Sequence, residues 1–211
     1  MSRTIVLSLV SSPPVKIARL PPAKDSEARD RLLGTASAIF YAEGINSVGV
    51  DRIVSQSAVT RATFYRHFAS KQDLVLAYLQ AAHDAIEAGF ASLVETHEPD
   101  RLLEAVCEDI VGQIEQPGFH GCAFICAAAE FEDPDDPIRR AVVAHRDWFL
   151  GAVRDAFGAA GHEHPEEAAR QYVMLRDGAM VGGHLGDPAL VARTFRRSVG
   201  ELLRSGGDEP V

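Results

Sequence analysis

The chain has 211 residues, of which 46% are hydrophobic, so it can bury a substantial core. Its formal net charge at pH 7 is -9, yet residues 1–74 carry ten Lys and Arg against six Asp and Glu, while the rest carries eleven against twenty-four. A surface for nucleic acid, if the chain has one, therefore belongs to the basic first third and is excluded from the acidic remainder.

The first 24 residues contain two Pro-Pro pairs and four basic residues but no acidic residue. We interpret residues 1–24 as a mobile basic arm. In a DNA-binding protein such an arm adds phosphate or minor-groove contacts, and a leader without a role is the alternative. At the other end, residues 206–211 are expected to form a frayed tail.

Residues 25–72 are expected to form a small three-helix domain. Apolar side chains at helical spacing predict a helix over 25–43, and Gly44 suits the residue that ends it. A short second helix is predicted from about Val50 to Ser57. Ala58 then occupies a tight turn, where a positive φ would cost an alanine about 1 kcal/mol.

The third helix of this domain has a specified start and two distinct faces. Thr60 is a good N-cap, because its hydroxyl can accept from the backbone N–H of Thr63. Phe64 and Phe68 lie four residues apart and share a face that must be buried. The opposite face offers donors, one small apolar group and no acid, which is chemistry that the major groove of DNA can use. Its members are Arg61, Ala62, Thr63, Tyr65, Arg66 and His67.

A longer helix follows, and its first turn contains a cation. Ser70 and Asp73 form a capping-box pattern, which places Lys71 in the first turn. The helix dipole disfavours a cation there by about 0.3 to 1 kcal/mol. A phosphate bound at this helix end would satisfy both Lys71 and the free N–H groups, so Lys71 is predicted to contact DNA.

The run TFYRHFASKQDL, residues 63–74, resembles the DNA-binding domain of the TetR family of bacterial transcriptional regulators. The resemblance covers roughly residues 26–79. Its other matching positions are Ala36, Phe40, Gly44, Ile53, Val59 and Thr60. Two positions depart from the family pattern: Ala58 replaces the usual turn glycine, and Gly49 replaces the usual Ser or Thr that opens the second helix.

The resemblance implies a function and its partners. It implies a ligand-responsive transcriptional regulator, a repressor, that binds a palindromic double-stranded DNA operator as a homodimer and is released by a small-molecule effector. It implies neither an enzyme nor a cofactor. The residues assigned to DNA are Thr60, Arg61, Ala62, Thr63, Tyr65, Arg66, His67 and Lys71.

The pattern of residues 73–205 predicts helices and lacks the alternation typical of strands. The predicted fold is therefore all-α. It consists of the N-terminal helix-turn-helix domain and a helical C-terminal domain for ligand binding and dimerisation. The segment 121–131 is apolar nearly all round and is expected in the interior. Helices are expected at 70–96, 102–116, 121–131, 138–159, 166–185 and 188–204.

An effector pocket among these helices is implied by the resemblance. For each aromatic residue or Met, an ordinary place in the core is the alternative. The candidate lining residues are Cys122, Phe124, Cys126, His145, Trp148, Phe149, Met174, Arg176, Asp177 and Met180.

The last two helices are expected to form the dimer interface as a four-helix bundle. Glycine inside a helix costs about 1 kcal/mol against alanine, so a cluster of glycines indicates close contact. A dimer would place its two recognition helices about 34 to 36 Å apart, one turn of DNA. The candidate interface residues are Gly178, Val181, Gly182, Leu190, Val191, Phe195, Val199 and Leu202.

A different class of function rests on cysteine and histidine. Cys122 and Cys126, with neighbouring histidines, could serve a metal site, a redox sensor or a small helical enzyme. Their spacing is not CxxC and the segment is apolar, so we predict no metal site. Three cysteines without a secretion signal fit the reducing cytoplasm, and no apolar run is long enough to span a membrane.

Overall fold

A computed structural model describes residues 27–205, and these residues form helices joined by turns, with no strand. The predicted all-α fold is therefore confirmed. The basic arm at 1–24 and the tail at 206–211 lie outside the described residues. The helices are α1 Glu27–Glu43, α2 Val50–Gln56, α3 Arg61–His67, α4 Lys71–Thr96, α5 Pro99–Ile114, α6 Ala123–Glu130, α7 Pro137–Ala159, α8 Pro165–Leu185 and α9 Pro188–Arg204.

Side-chain caps lie at the starts of α3, α4 and α9, and the first two of them are predicted from the sequence above. The Thr60 hydroxyl oxygen accepts from the Thr63 N–H at 3.1 Å, and the Ser70 hydroxyl oxygen accepts from the Asp73 N–H at 3.1 Å. At α9 the Asp187 carboxylate accepts from the Ala189 N–H at 2.9 Å. Each cap satisfies a backbone donor that the helix itself leaves without a partner.

The turn between α2 and α3 is strained at one residue. Ala58 has φ 51°, and it is the one residue other than glycine with positive φ within 27–205. The left-handed conformation costs an L-residue about 1 to 2 kcal/mol. Ser57 beside it is buried, and its hydroxyl donates to the carbonyl oxygen of Ile53. The strained residue thus directly follows the buried, hydrogen-bonded C-terminal end of α2.

The chain divides into two compact units. The first comprises residues 27–86 and 123–145, and it contains α1, α2 and α3, the start of α4, all of α6 and the start of α7. Its three N-terminal helices pack against one another. Fully buried side chains at their centre include Leu32, Ile53, Phe64, Phe68 and Leu74.

The second unit comprises residues 87–122 and 146–205, in which α5, α8 and α9 pack together. Tyr172 is fully buried, and its hydroxyl donates to the carbonyl of Leu103 at 3.2 Å. Gly183 permits a close approach of α8 and α5, because an added Cβ would lie 2.6 Å from Cγ2 of Ile114. This glycine therefore serves packing within the chain.

The apolar segment around α6 differs from its prediction. The helix is Ala123–Glu130, shorter than expected, and only one side of it is buried. Phe124 and Ala127 are buried, whereas Cys126 and Ala129 are exposed. A helix of two turns packs on its neighbours with one face, so an apolar sequence alone does not make it interior.

Among residues 27–205, no helix combines the length and the apolar character that a membrane crossing requires.

Candidate nucleic-acid interface and regulatory residues

The two faces of α3 are separated as predicted. Phe64 and Phe68 are buried, with 0% and 1% of their surfaces exposed. Arg61, Ala62 and Arg66 are exposed, and so is Tyr65, an aromatic side chain with 47% of its surface in water. Thr63 and His67 are half-buried at the edge of this face, and Thr60 is exposed at its start. The burial of the two phenylalanines thus orients the polar side chains outward.

Arg61 is the most closely held cation of this face. Its guanidinium donates to the Asp51 carboxylate at 2.8 Å, and its Cζ lies 6.0 Å from the centre of the Tyr65 ring. A hydrogen bond with Tyr65, followed by the charge of Asp51, raises the pKa of Arg61. The face of α3 itself has no acid, as predicted, but α2 contributes the Asp51 carboxylate beside Arg61, which the pattern within α3 does not include.

The ion pair between Arg61 and Asp51 does not withdraw Arg61 from solvent. The side chains are 62% and 77% exposed, respectively. Water screens a pair of this kind, and holding two flexible side chains together costs entropy, so the pair is weak. Arg61 can therefore exchange Asp51 for a base edge or a phosphate at little cost.

Lys71, at the start of α4, forms a hydrogen bond within its own chain. Its ammonium donates to the carbonyl oxygen of Ile45 at 2.7 Å. Partial burial lowers the pKa of Lys71, and the charge of Glu130 acts in the opposite direction. An ammonium has three donors, so one bond to Ile45 leaves others available. The predicted phosphate contact of Lys71 stays a prediction.

Three of the predicted effector-binding residues lie in the first unit. Phe124 stacks on His145, with ring centres 3.6 Å apart and planes inclined by 6°. His145 Nδ1 lies 3.0 Å from Nδ1 of His83, a buried residue that the sequence patterns do not single out. Cys126 is exposed, so it does not join this buried aromatic group.

The other predicted effector-binding residues lie in the second unit. Cys122, Phe149, Arg176 and Asp177 come together, and Arg176 contacts each of the other three. Trp148 contacts Phe149, with ring centres 6.2 Å apart, and Met180 is buried. Met174 is 74% exposed and therefore does not belong to this interior group.

The predicted dimer residues divide between the interior and the surface of the chain. Phe195, Val199 and Leu202 are buried by the chain itself, so they do not offer surface to a second copy. Their apolar periodicity is explained by the packing of α9 on α5 and α8. Among the rest, Gly178, Val181 and Leu190 are exposed, while Gly182 and Val191 are half-buried. An added Cβ on Gly182 would lie 3.3 Å from Val191.

An exposed apolar stripe runs along α8. Met174, Gly178, Val181 and Leu185 follow one another at spacings of four, three and four residues, which places them on one face of the helix. Met174 is 74%, Val181 42% and Leu185 77% exposed. We name these four residues the α8 stripe. Leu185 was not selected from the sequence, although the same spacing could have identified it.

The metal alternative requires several ligands close together. Within residues 27–205, no three or more His, Cys, Asp or Glu side chains are grouped closely enough to hold a metal ion. Cys122 is buried beside Arg176, whereas Cys126 faces solvent. The two cysteines that suggested such a site therefore have different surroundings.

Comparison with known proteins identifies the family. The sequence profile described as "Bacterial regulatory proteins, tetR family" matches residues 32–78. The chain is 50% identical to SCO4454, a TetR-family transcriptional regulator from Streptomyces coelicolor, and superposes on its crystal structure with a TM-score of 0.85. That match covers 87% of this chain and 98% of the other.

Two curated relatives match over a shorter length. The transcriptional activator FasR of Mycolicibacterium smegmatis is 35% identical over 90 residues, or 42% of this chain and 41% of that protein. The transcriptional regulator SrpR of Pseudomonas putida is 30% identical over 95 residues, or 45% of this chain and 41% of that protein. The chain thus spans about four-tenths of the length of these two relatives.

These relatives are regulators of transcription and not enzymes, in agreement with the prediction from sequence. The similarity to SCO4454 extends over nearly the whole of that protein. The profile match contains α2 and α3 together with the turn that joins them. The chain belongs to the TetR family of bacterial transcriptional regulators.

Proposed function

We propose that this protein is a cytoplasmic, ligand-responsive repressor that binds a palindromic double-stranded DNA operator as a homodimer. Residues 25–72 form its DNA-binding domain, and residues 73–205 bind the effector and the second copy. The observation that carries the proposal is the exposed face of α3, where Arg61, Tyr65 and Arg66 project from a helix anchored by two buried phenylalanines.

The chemistry of this face suits the major groove. An arginine can form two hydrogen bonds with the edge of a guanine, and the methyl groups of Ala62 and Thr63 can contact the methyl group of a thymine. A short helix anchored at its back can enter the groove as a rigid body. Half-buried Lys71 would then contact a phosphate beside the groove.

The α8 stripe supports the homodimer. A monomer rarely exposes several large apolar side chains on one helix face unless another surface covers them. Leu190 at the start of α9 is 54% exposed and is a further apolar side chain at the surface. Gly178 has no neighbouring atom within 4 Å of an added Cβ, so a second copy of α8 can approach closely there.

Effector release follows from two conformations of the dimer. An effector that binds more tightly to the conformation that cannot bind DNA shifts the population toward that conformation. The size of the shift is limited by the difference between the effector's affinities for the two conformations. Repression is the proposed outcome when the dimer's operator overlaps the DNA that the polymerase must use.

Arg61→Ala and Tyr65→Ala test the proposal. Each is expected to weaken the free energy of operator binding by about 1 to 3 kcal/mol, which raises the dissociation constant roughly 5- to 150-fold. Binding to random DNA should change less. Fluorescence anisotropy with both duplexes measures the effect. Arg101→Ala is the matched control, because Arg101 is also exposed and ion-paired, with Glu104 at 2.7 Å. Unaltered specific binding by both variants would contradict the role of this face.

A further inference from the structure

Arg176 is a buried cation in the second unit, with 6% of its surface exposed. Burial lowers the pKa of Arg176, but Cys122 and Asp177 more than offset that effect. The guanidinium is therefore charged. A charged side chain is almost never fully buried unless it is paired, so its partners indicate what the site can accept.

The partners of Arg176 occupy only part of its guanidinium group. Nη1 donates to Oδ1 of Asp177 at 3.0 Å, and Nη2 donates to the Cys122 sulfur at 3.4 Å. Nε is buried and donates to no group in the described part of the chain. A thiol is a weak acceptor, and a buried donor without an acceptor destabilises the fold.

The charges around Arg176 do not cancel. Asp177 also accepts from Arg146, whose Nη2 lies 2.6 Å from Oδ2. One carboxylate thus serves two guanidinium groups, and the three side chains together carry one excess positive charge. Asp177 is the carboxylate that raises the pKa of Arg176, after the larger effect of Cys122. An anion brought to this place would meet a net attraction.

Aromatic side chains adjoin the excess charge. The guanidinium carbon of Arg176 lies 5.3 Å from the centre of the Phe149 ring. Phe149 contacts Trp148, and Trp148 contacts Phe90, with ring centres 6.2 Å apart in both pairs. A ligand at Arg176 would therefore have apolar rings beside it.

We infer that Arg176 recognises the effector, and that the effector is an organic carboxylate with an apolar body. This inference rests on the proposed function and names the chemical class of its ligand. The Nε and Nη2 donors form one edge of the planar guanidinium, which matches the two oxygens of a carboxylate. The carboxylate binds this edge, where it supplies the acceptor that Nε lacks and replaces the weak thiol contact. The apolar body packs on the aromatic rings.

The test compares phenylacetate with phenylacetamide, two ligands of nearly equal shape that differ in charge. The full-length protein is titrated with each, and the fluorescence of Trp148, the single tryptophan of the chain, reports binding. We expect the dissociation constant of phenylacetate to be lower by about 10- to 100-fold, because a hydrogen bond to a charged group contributes about 1.5 to 3 kcal/mol. Equal binding of the two, or no binding of phenylacetate at about 10 mM, would overturn the inference.

Substitutions then identify the residue. Arg176→Gln is expected to abolish the preference for the acid, and Arg176→Lys to keep part of it, since lysine retains the charge but not the planar pair of donors. Arg170→Gln is the matched control, because it removes one positive charge from an exposed position of the same helix. A preference that survives in a folded Arg176→Gln protein would overturn the assignment. If that variant does not fold, the comparison of acid and amide on the unmodified protein decides.

Operator binding is measured on the same samples. Specific operator binding without a preference for phenylacetate would contradict the effector class and leave the proposed regulator intact. A preference for phenylacetate without specific binding to any operator would instead contradict the proposed function.

Discussion

The three cysteines of the chain differ in their access to solvent. Cys107 is buried, and that burial, with a smaller contribution from the charge of Glu108, raises its pKa to about 12. Cys126 is exposed on α6. The thiolate is the form that reacts with alkylating agents. The rate at which each cysteine is alkylated should therefore depend on whether its thiol is buried or exposed.

We predict that iodoacetamide at pH 8 modifies Cys126 and spares Cys107 in the folded protein. A pKa of about 12 leaves Cys107 with roughly one thiolate in ten thousand at that pH, and burial also excludes the reagent. Peptide mass spectrometry measures the modification at each site. Cys126→Ser should remove the fast reaction, and unfolding should expose Cys107. Fast labelling of Cys107 in the folded protein would contradict its buried position.

The sequence predicts those local features that residues close together along the chain determine. The caps at Thr60 and Ser70 depend on residues three positions away, and the structure has both. The contact of Asp51 with Arg61 joins two helices across the turn. Its formation depends on the turn geometry, which periodicity within one helix does not contain.

The C-terminus of α6 is hydrogen-bonded to the loop between α1 and α2. The Glu130 carboxylate accepts from the backbone N–H groups of Ile45 and Asn46 at 2.8 and 2.5 Å, and its own carbonyl accepts from the Asn46 amide at 3.3 Å. Gly44 leaves room for this carboxylate, because an added Cβ would lie 3.3 Å from Oε1. The carboxylate thereby fixes the loop that precedes α2.

We predict that Glu130→Ala lowers the free energy of unfolding by about 1 to 2 kcal/mol, because the substitution leaves the N–H group of buried Ile45 without its acceptor. Urea denaturation followed by circular dichroism measures the change. Glu132→Ala is the control, since Glu132 is exposed two residues further along and should alter stability little. Equal stabilities of the two variants would show that the contact contributes nothing.

This contact could not be predicted from sequence, because Glu130 and Ile45 are 85 residues apart. Local patterns report helix ends and buried faces, whereas the choice of a partner so distant depends on how the helices pack. One signal was available: Glu130 is an acid at the end of an otherwise apolar helix. Such a residue needs a polar partner or solvent.

The α8 stripe allows a test of the assembly state. We predict that Leu185→Glu converts the protein from dimer to monomer, because it places a charge on an apolar surface that a second copy would desolvate. Sedimentation velocity measures the assembly state. Val143→Glu is the control, because Val143 is also exposed, at 46%, but lies in the first unit. A Leu185→Glu protein that stays dimeric would exclude this stripe from the interface.

The same stripe shows why an interface is hard to read from sequence. Helical spacing identifies apolar faces, but it does not say whether the chain itself or a second copy covers them. Phe195 and Leu202 were predicted to face a partner, and α5 and α8 bury them. Met174 was predicted to line a pocket, and it is exposed. Only the packed structure separates these cases.

The most direct test of the proposed function is a titration of the unmodified protein against the DNA upstream of its own gene. Fluorescence anisotropy would follow binding over a range of salt concentrations, with a random duplex as competitor. We expect binding at least about a thousandfold tighter than to random DNA, with an affinity that falls steeply as salt rises. Binding to neither this DNA nor any other duplex would contradict a DNA-binding role for α3.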